Sequence, residues 1–275
     1  MTVNKNNKIS TNNKNSKNNI NSKNIGIMDR AGTKINPMNG QKFSEKWLSS
    51  PKWWQNLPMY ADSNKIINLI NDNQVLLVIS GTGSGKTVLV PFYALHTLNY
   101  QGRVVMTIPK TGVVLKAATT SSEMADVVLG KEVGYQYRGS RLSNGGPTKS
   151  ESTKLLISTD GSIVAQLIND PEMKAYDIVI IDEAHERGVQ IDLLLLLMKK
   201  ALRLNKKLKL IVMSATINPL IFENYFKSEF KYAAVNVSGN LTNYPVKMEY
   251  LQKPLANPEK DFIKAGISRI IQILE

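Results

Sequence analysis

The sequence contains no cysteine and only two histidines, His96 and His185. The chain therefore cannot form disulfides or cysteine-ligated zinc sites, and two histidines do not favour a histidine-rich metal centre. The richest apolar run, Leu193 to Met198, is far shorter than the roughly 20 residues of a membrane-spanning helix, and the N-terminus carries no apolar signal segment. We expect an intracellular, soluble protein without membrane contact, in the cytoplasm, the nucleus or a viral compartment.

Positive charge is abundant: the 275 residues carry a formal net charge of +13. Residues 1–24 contain five lysines, no acid and many asparagines. This stretch lacks aromatic residues and apolar periodicity, so we predict that residues 1–42 form a disordered Asn/Lys-rich tail. A basic surface favours polyanions such as nucleic acid, although biased genome composition explains the tail equally well.

From residue 43 the pattern changes to alternating strands and helices. Five apolar runs read as buried parallel strands, namely Val75 to Ile79, Val104 to Ile108, Leu155 to Ser158, Ile178 to Ile181 and Leu210 to Met213. Helical stretches alternate with them, namely Lys86 to Leu98, Val113 to Leu129, Ser162 to Ile168, Gln190 to Leu204 and Pro219 to Phe226. This alternation predicts an α/β fold with a mostly parallel sheet and helices on both faces. Upstream, Trp47, Trp53 and Trp54 could stack on bases, but packing onto the domain is the favoured interpretation.

The first strand runs into a glycine-rich phosphate-binding pattern, G-x-x-x-x-G-K-[ST], followed by a helix. Glycines let the backbone N–H groups surround a phosphate, and the helix N-terminus adds a favourable dipole. Lys86 can reach the outer phosphates, and the Thr87 hydroxyl can bind Mg²⁺. The sequence therefore predicts a site for ATP or another nucleoside triphosphate with Mg²⁺, formed by Gly81, Thr82, Gly83, Ser84, Gly85, Lys86 and Thr87.

Another predicted strand, Ile178 to Ile181, ends in two adjacent acids, Asp182 and Glu183. We expect this strand to lie beside the strand of the phosphate loop, which would bring Asp182 to the metal. Glu183 could then orient and deprotonate an attacking water. Lys86, Asp182 and Glu183 are thus the predicted catalytic residues, and Thr87 and Asp182 are the predicted metal ligands.

Together with further motifs, these residues resemble those of DEAH-box ATP-dependent RNA helicases of superfamily two. The resemblance is to the first RecA-like domain of these proteins. Gly81 to Thr87 match the first motif of that family, and Asp182-Glu183-Ala184-His185 spell its second. Ser214-Ala215-Thr216 match the third motif, and Thr159-Asp160-Gly161 match an intermediate T-D-G element. The resemblance extends from about Leu57 to Glu275. It implies RNA as the substrate, single-stranded or duplex, with DNA left open.

The resemblance also implies roles for residues outside the nucleotide site. His185 would communicate with Ser214 and Thr216 and so couple the nucleotide state to strand separation. The nucleic-acid backbone would lie along two further strand ends, in contact with Lys110, Thr159, Asp160 and Gly161. After Pro109 the family usually carries two arginines, whereas this sequence keeps one cation, Lys110.

Family members continue into a second RecA-like domain that supplies an arginine finger. We expect residues 43–240 to form the first domain and residues 241–275 to be a linker and the truncated start of the second. The Q-R-x-G-R-x-G-R pattern of the second domain is not present, so we expect slow hydrolysis unless another polypeptide supplies that domain. A predicted helix near the end carries an apolar stripe, which would then be a surface that binds a partner. The stripe consists of Ile267, Ile270, Ile271 and Leu274.

Three functions fit the sequence to different degrees. The first is an NTP-dependent DEAH-type helicase that translocates on or unwinds RNA. The second is a nucleotide- and RNA-binding module, or a helicase remnant, with little or no turnover. A metabolic P-loop kinase is disfavoured, because it has no use for Asp182-Glu183-Ala184-His185 followed by Ser214-Ala215-Thr216.

Overall fold

The computed structural model describes residues 35–142, 145–216, 218–237 and 248–274. Contacts divide these residues into two units, one before and one after the gap at residues 238–247. Residues 1–34, which make up most of the predicted tail, lie outside the described residues. Each unit is described by itself below.

The first unit contains a seven-stranded sheet in which every neighbouring pair of strands is parallel. The strand order across the sheet is β3-β4-β2-β5-β6-β1-β7. The strands are β1 (Val75–Ile79), β2 (Val104–Thr107), β3 (Val133–Gln136), β4 (Leu155–Ser158), β5 (Ile178–Ile181), β6 (Lys209–Ser214) and β7 (Tyr232–Asn236). The parallel α/β prediction is confirmed.

Helices cover both faces of the sheet. Those of the first unit are α1 (Glu45–Ser49), α2 (Pro58–Ala61), α3 (Ser63–Asp72), α4 (Lys86–Thr97), α5 (Thr111–Ala125), α6 (Asp160–Asn169), α7 (Val189–Leu204) and α8 (Pro219–Phe226). Buried residues of α3, α4 and α5 pack on one face of the sheet, and those of α6, α7 and α8 on the other. Successive strand residues alternate between these cores: Leu76 and Val78 belong to one, Val75 and Leu77 to the other. The sheet is therefore buried on both sides, as a parallel sheet requires.

Two strands were missed by the sequence analysis. β3 contains Gly134 and Gln136, and β7 contains two alanines and Asn236, so neither forms an apolar run rich in β-branched residues. Both are edge strands, where only one neighbour and partial burial are needed. Their absence from the prediction follows from that composition.

The segment before the first predicted domain boundary packs on the first unit. Ile35 pairs with Lys42, and the Asn36 side-chain amide donates to the carbonyl of Ala125 at 2.7 Å. Residues 35–42, which we predicted as the end of the tail, therefore contact the C-terminal end of α5. Further along, Trp47 and Trp54 are buried and Trp53 is half exposed, so the packing interpretation is confirmed for the first two.

The second unit contains α9 (Pro258–Leu274), which has no buried residue. Its isoleucines at positions 267, 270 and 271 are each about half exposed. Arg269 forms an ion pair with Glu249 within this unit. Across the described part of the chain, no helix has the length and apolarity to cross a membrane.

Candidate nucleotide site and the neighbouring strand ends

The predicted motifs all lie at the carboxyl ends of parallel strands, along one edge of the sheet. In the order β4-β2-β5-β6-β1, these ends lead into Thr159-Asp160-Gly161, Lys110, the turn 182–187, Ser214-Ala215-Thr216 and the loop 80–85. This is the edge at which open α/β sheets bind ligands. The topology therefore collects residues that are up to 136 positions apart in the sequence, from Ser80 to Thr216.

The phosphate loop leaves β1 with a conformation that depends on glycine. Gly83 and Gly85 have φ values of +81° and +94°. A Cβ at Gly85 would lie 2.6 Å from the Leu57 side chain, so close packing as well as dihedral angle selects glycine there. Ser80 and Ser84 share a buried hydrogen bond of 2.7 Å that closes the base of the loop.

The helix α4 begins directly after this loop. Gly85 occupies the N-cap position and offers no side-chain cap to the first backbone N–H groups. Uncapped N–H groups at a helix N-terminus favour an anion, which the helix dipole also attracts. Thr82 and Gly83 are exposed beside them. The loop thus has the form of an anion site open to solvent.

Two side chains at the start of α4 reach the acidic end of β5. The Thr87 hydroxyl donates to Asp182 Oδ2 at 2.6 Å. Lys86, only 3% exposed, places its Nζ 3.6 Å from Glu183 Oε1. A buried ammonium requires an anionic partner, and Glu183 provides one.

Asp182 is 1% exposed, and its main-chain N–H donates to the carbonyl of Thr107 in β2 at 3.1 Å. Burial raises the pKa of its carboxyl to about 6, the Thr87 hydroxyl opposes this rise, and the neighbouring Glu183 carboxylate adds to it. A nearby cation would therefore stabilise the ionised form strongly.

Glu183 adopts a left-handed backbone conformation with φ of +53°. Its N–H donates to Asp182 Oδ1 at 2.8 Å, while its own Oε2 is buried without a hydrogen bond. Non-glycine residues with positive φ are uncommon and often mark functional turns. With this backbone conformation the Asp182 carboxylate contacts Thr87, whereas the Glu183 carboxylate contacts Lys86.

The order of the strands around the nucleotide site differs from the predicted order. We expected β5 to lie beside β1, but β6 separates them. The groups still meet, because Thr87 and Lys86 extend from α4 across the end of β6 toward β5. Pairing order could not be predicted, since the apolar runs of β5 and β6 are alike in composition.

His185 lies next to the third motif through the main chain. Its Nδ1 accepts from the N–H of Ala215 at 3.5 Å and lies 3.4 Å from Glu183 Oε2. Ser214 is buried, and its Oγ makes no hydrogen bond, whereas Thr216 is exposed. Of the predicted coupling residues, His185 therefore contacts the residue between Ser214 and Thr216.

The predicted nucleic-acid residues lie at the ends of β2 and β4. Thr159 occupies the N-cap position of α6 without a side-chain cap, its hydroxyl contacts that of Ser162 at 2.9 Å, and Gly161 is exposed. Asp160 is 3% exposed, and its Oδ1 has no hydrogen bond. These residues form the first turn of α6, which begins two residues before the predicted helix.

Lys110 shows a contact that the sequence analysis missed. Its Nζ lies 2.8 Å from Glu186 Oε1, across the ends of the neighbouring strands β2 and β5. Nothing in the local sequence indicates this pair, because 76 residues separate its members.

A fold of this kind, with a glycine-rich phosphate loop facing a strand-end acid pair, defines a P-loop nucleotide-binding domain. Residues 60–222 match the family model for DEAD/DEAH box helicases. The chain belongs to the DEAD/DEAH box helicase family.

Two relatives illustrate the match. Over 252 residues the chain is 36% identical to a protein of Acanthamoeba polyphaga mimivirus named as an ATP-dependent RNA helicase, L540, covering 91% of this chain and 35% of that protein. The crystal structure of the Escherichia coli DEAH/RHA helicase HrpB superimposes with a TM-score of 0.67 at 25% identity, over 79% of this chain and 26% of that one. The sheet is thus that of a RecA-like helicase domain. The chain spans about a third of the first relative and a quarter of the second.

Proposed function

We propose that this chain provides the ATP-hydrolysing first RecA-like domain, residues 43–240, of a DEAH-type RNA helicase. The observation that carries the proposal is the hydrogen bond of 2.6 Å between Thr87 and Asp182, beside the Lys86–Glu183 ion pair. These contacts join the phosphate loop to the acids of the second motif. The sequence Asp182-Glu183-Ala184-His185 and the likeness to HrpB support the DEAH type.

The residues fit a magnesium–triphosphate ligand. Hydroxyl and carboxylate oxygens are the ligands that Mg²⁺ prefers, and Thr87 and Asp182 offer one of each in contact. These two residues would hold the ion, and when bound it would neutralise phosphate charge. The uncapped helix N-terminus and residues 81–85 would hold the phosphates. The name of the mimivirus relative supports ATP as the nucleotide.

Lys86 and Glu183 would exchange partners when the nucleotide binds. The Lys86 ammonium would transfer from the carboxylate to the outer phosphates. Glu183 would then be available to orient a water and accept its proton. Its buried, unbonded Oε2 is the oxygen that supports this assignment.

The nucleic acid in this proposal is RNA, bound at the ends of β2 and β4 through Lys110, Thr159, Asp160 and Gly161. Main-chain and hydroxyl groups there can hold a backbone without reading bases. His185 would link that edge to the third motif through Ala215, with Ser214 and Thr216 on either side. A second RecA-like domain would complete the hydrolytic site by supplying an arginine, and such arginines raise rates by orders of magnitude.

The test is ATP hydrolysis by the full chain, with Mg²⁺, with and without single-stranded RNA, and with an added second domain. We expect Lys86→Ala and Glu183→Gln each to lower the rate by at least about a hundredfold. Glu151→Gln, on a fully exposed side chain before β4, is the matched control and should hydrolyse as wild type does. Equal rates in Glu183→Gln and wild type would contradict the assignment.

Absence of turnover under all of these conditions, with ATP binding retained, would favour the binding-module function instead.

A further inference from the structure

Lys110 and Glu186 form an ion pair that a ligand can reach. Side-chain exposure is 69% for Lys110 and 33% for Glu186, and the two charged atoms are 2.8 Å apart. The ion pair raises the pKa of Lys110, so the ammonium stays charged. Because solvent reaches both partners, a phosphate group could replace the carboxylate at Lys110 without any change in the core.

Glu186 also belongs to the turn that carries the nucleotide-site acids. Its N–H donates to the carbonyl of Glu183 at 2.9 Å, within a single 3₁₀ turn over Ala184–Glu186. Left-handed residues bound this turn, with φ of +53° at Glu183 and +48° at Arg187. Glu183 and Glu186 therefore share one short turn, which a main-chain hydrogen bond closes and two sparsely populated backbone conformations bound.

The charge of Glu186 also affects Asp160, which follows the end of β4. Burial raises the pKa of Asp160, and the negative charge of Glu186 adds to this rise. Asp160 Oδ1 and Thr107 Oγ1 are both buried without hydrogen bonds. Glu186 therefore attracts Lys110 and disfavours the ionised form of Asp160.

We propose that Glu186 is a positioning residue that competes with the nucleic-acid backbone for Lys110. Binding of a phosphate to Lys110 releases Glu186, and the turn that carries Glu183 registers the release at the Lys86–Glu183 pair. The proposal rests on the proposed RNA-dependent function. It adds the means by which backbone contact reaches the nucleotide site.

The first test is the affinity of the full chain for fluorescent oligouridylate at one low salt concentration, without nucleotide. Glu186→Gln removes the competing charge and should raise the affinity about two- to fivefold, the range expected for an exposed ion pair. Glu151→Gln changes the net charge equally at the opposite edge of the sheet and is the matched control. In a Lys110→Gln background, Glu186→Gln should have no more effect than the control.

The second test separates positioning from simple charge removal. The affinity for a non-hydrolysable ATP analogue is measured with and without saturating oligouridylate. Wild type should show a difference between the two conditions, and in Glu186→Gln their ratio should move toward one. Glu151→Gln should keep the wild-type ratio.

The outcomes distinguish this inference from the function beneath it. Failure of wild type to bind oligouridylate overturns the RNA-dependent function, and the inference with it. Wild-type binding with equal effects of Glu186→Gln and Glu151→Gln overturns the inference alone. A gain from Glu186→Gln that persists at full size in the Lys110→Gln background also overturns it.

Discussion

At the ends of β1, β5 and β6, functional side chains contact one another and are mostly buried. Thr87 bonds to Asp182, Lys86 pairs with Glu183, and Lys86 and Asp182 are 3% and 1% exposed. At the ends of β2 and β4, Thr159 contacts its own helix, and Lys110 is largely exposed. The first half of the edge is held by contacts among its own buried side chains, whereas the second half leaves the Lys110 side chain and Gly161 exposed to a ligand. Changes in the first half should therefore affect stability and nucleotide affinity, and changes in the second should affect RNA affinity.

Replacement of Lys86 should have the largest effect on ligand binding. This effect should be confined to the nucleotide half of the edge. We expect Lys86→Ala to weaken ATP binding about ten- to a hundredfold, because a charge-assisted contact to phosphate is lost. Oligouridylate affinity without nucleotide should stay at the wild-type value. Calorimetry and anisotropy measure the two quantities, and parallel losses in both would break the comparison.

Asp182→Asn should stabilise the ligand-free protein at neutral pH. The folded-state pKa of about 6 lies above the ordinary value of 3.8, so the folded protein binds the proton more tightly. Between about pH 4 and pH 6 only the unfolded state ionises, so the cost of ionising Asp182 grows over that range and is complete above about pH 6. We expect a gain of about 3 kcal/mol at pH 7.5 that disappears below about pH 4.

Urea denaturation of wild type and variant across this pH range measures that gain. Addition of Mg²⁺ and ATP should reduce it, because the ion favours the carboxylate. Asp192→Asn is the control: Asp192 is exposed and paired with Arg187, which lowers its pKa, so loss of its charge should not stabilise the protein. A pH-independent gain in Asp182→Asn would contradict the burial argument.

Glycine substitutions should sharpen the comparison at the level of the backbone. Gly85→Ala meets both a positive φ and the Leu57 side chain, and should destabilise the protein by about 2 kcal/mol. Gly83→Ala meets only the positive φ and should cost about 1 kcal/mol. Thermal denaturation measures both.

Gly112→Ala, inside α5 with open space around it, is the control and should stabilise slightly. A cost for Gly112→Ala equal to that for Gly85→Ala would remove the special status of the phosphate loop.

Lys110→Gln should give the smallest effect. RNA affinity should fall by a few fold, and the slope of its logarithm against the logarithm of salt concentration should decrease by about one. Because loss of the Lys110–Glu186 pair releases Glu186, ATP affinity without RNA should shift only as far as saturating oligouridylate shifts it in wild type. Lys116→Gln, within α5, is a control for net charge. An unchanged salt slope in Lys110→Gln would show that Lys110 does not contact phosphate.

The sequence predicted the strand ends well and their relations less well. Val75–Ile79, Leu155–Ser158, Ile178–Ile181 and Pro219–Phe226 have the predicted bounds, because apolar runs or a proline at the helix start mark them locally. The phosphate loop could be placed for the same reason: its glycines and its helix start are adjacent in the chain.

Long-range pairing carries no such local signal. Two features that were not predicted depend on residues far apart in sequence. One is the position of β6 between β5 and β1, and the other is the contact of Lys110 with Glu186. The start of α6 at Asp160 was missed because Asp160 and Gly161 resemble loop residues, although Asp at a helix N-terminus is favoured by the dipole.

The most direct measurement of the central claim is anomalous diffraction from crystals of the full chain grown with Mn²⁺ and a non-hydrolysable ATP analogue. We expect one strong anomalous peak for a Mn²⁺ ion that is coordinated by the Thr87 hydroxyl and by Asp182, directly or through one water. The phosphates should lie along residues 81–86. A nucleotide bound away from this loop, or a manganese peak without Thr87 and Asp182 around it, would contradict the account.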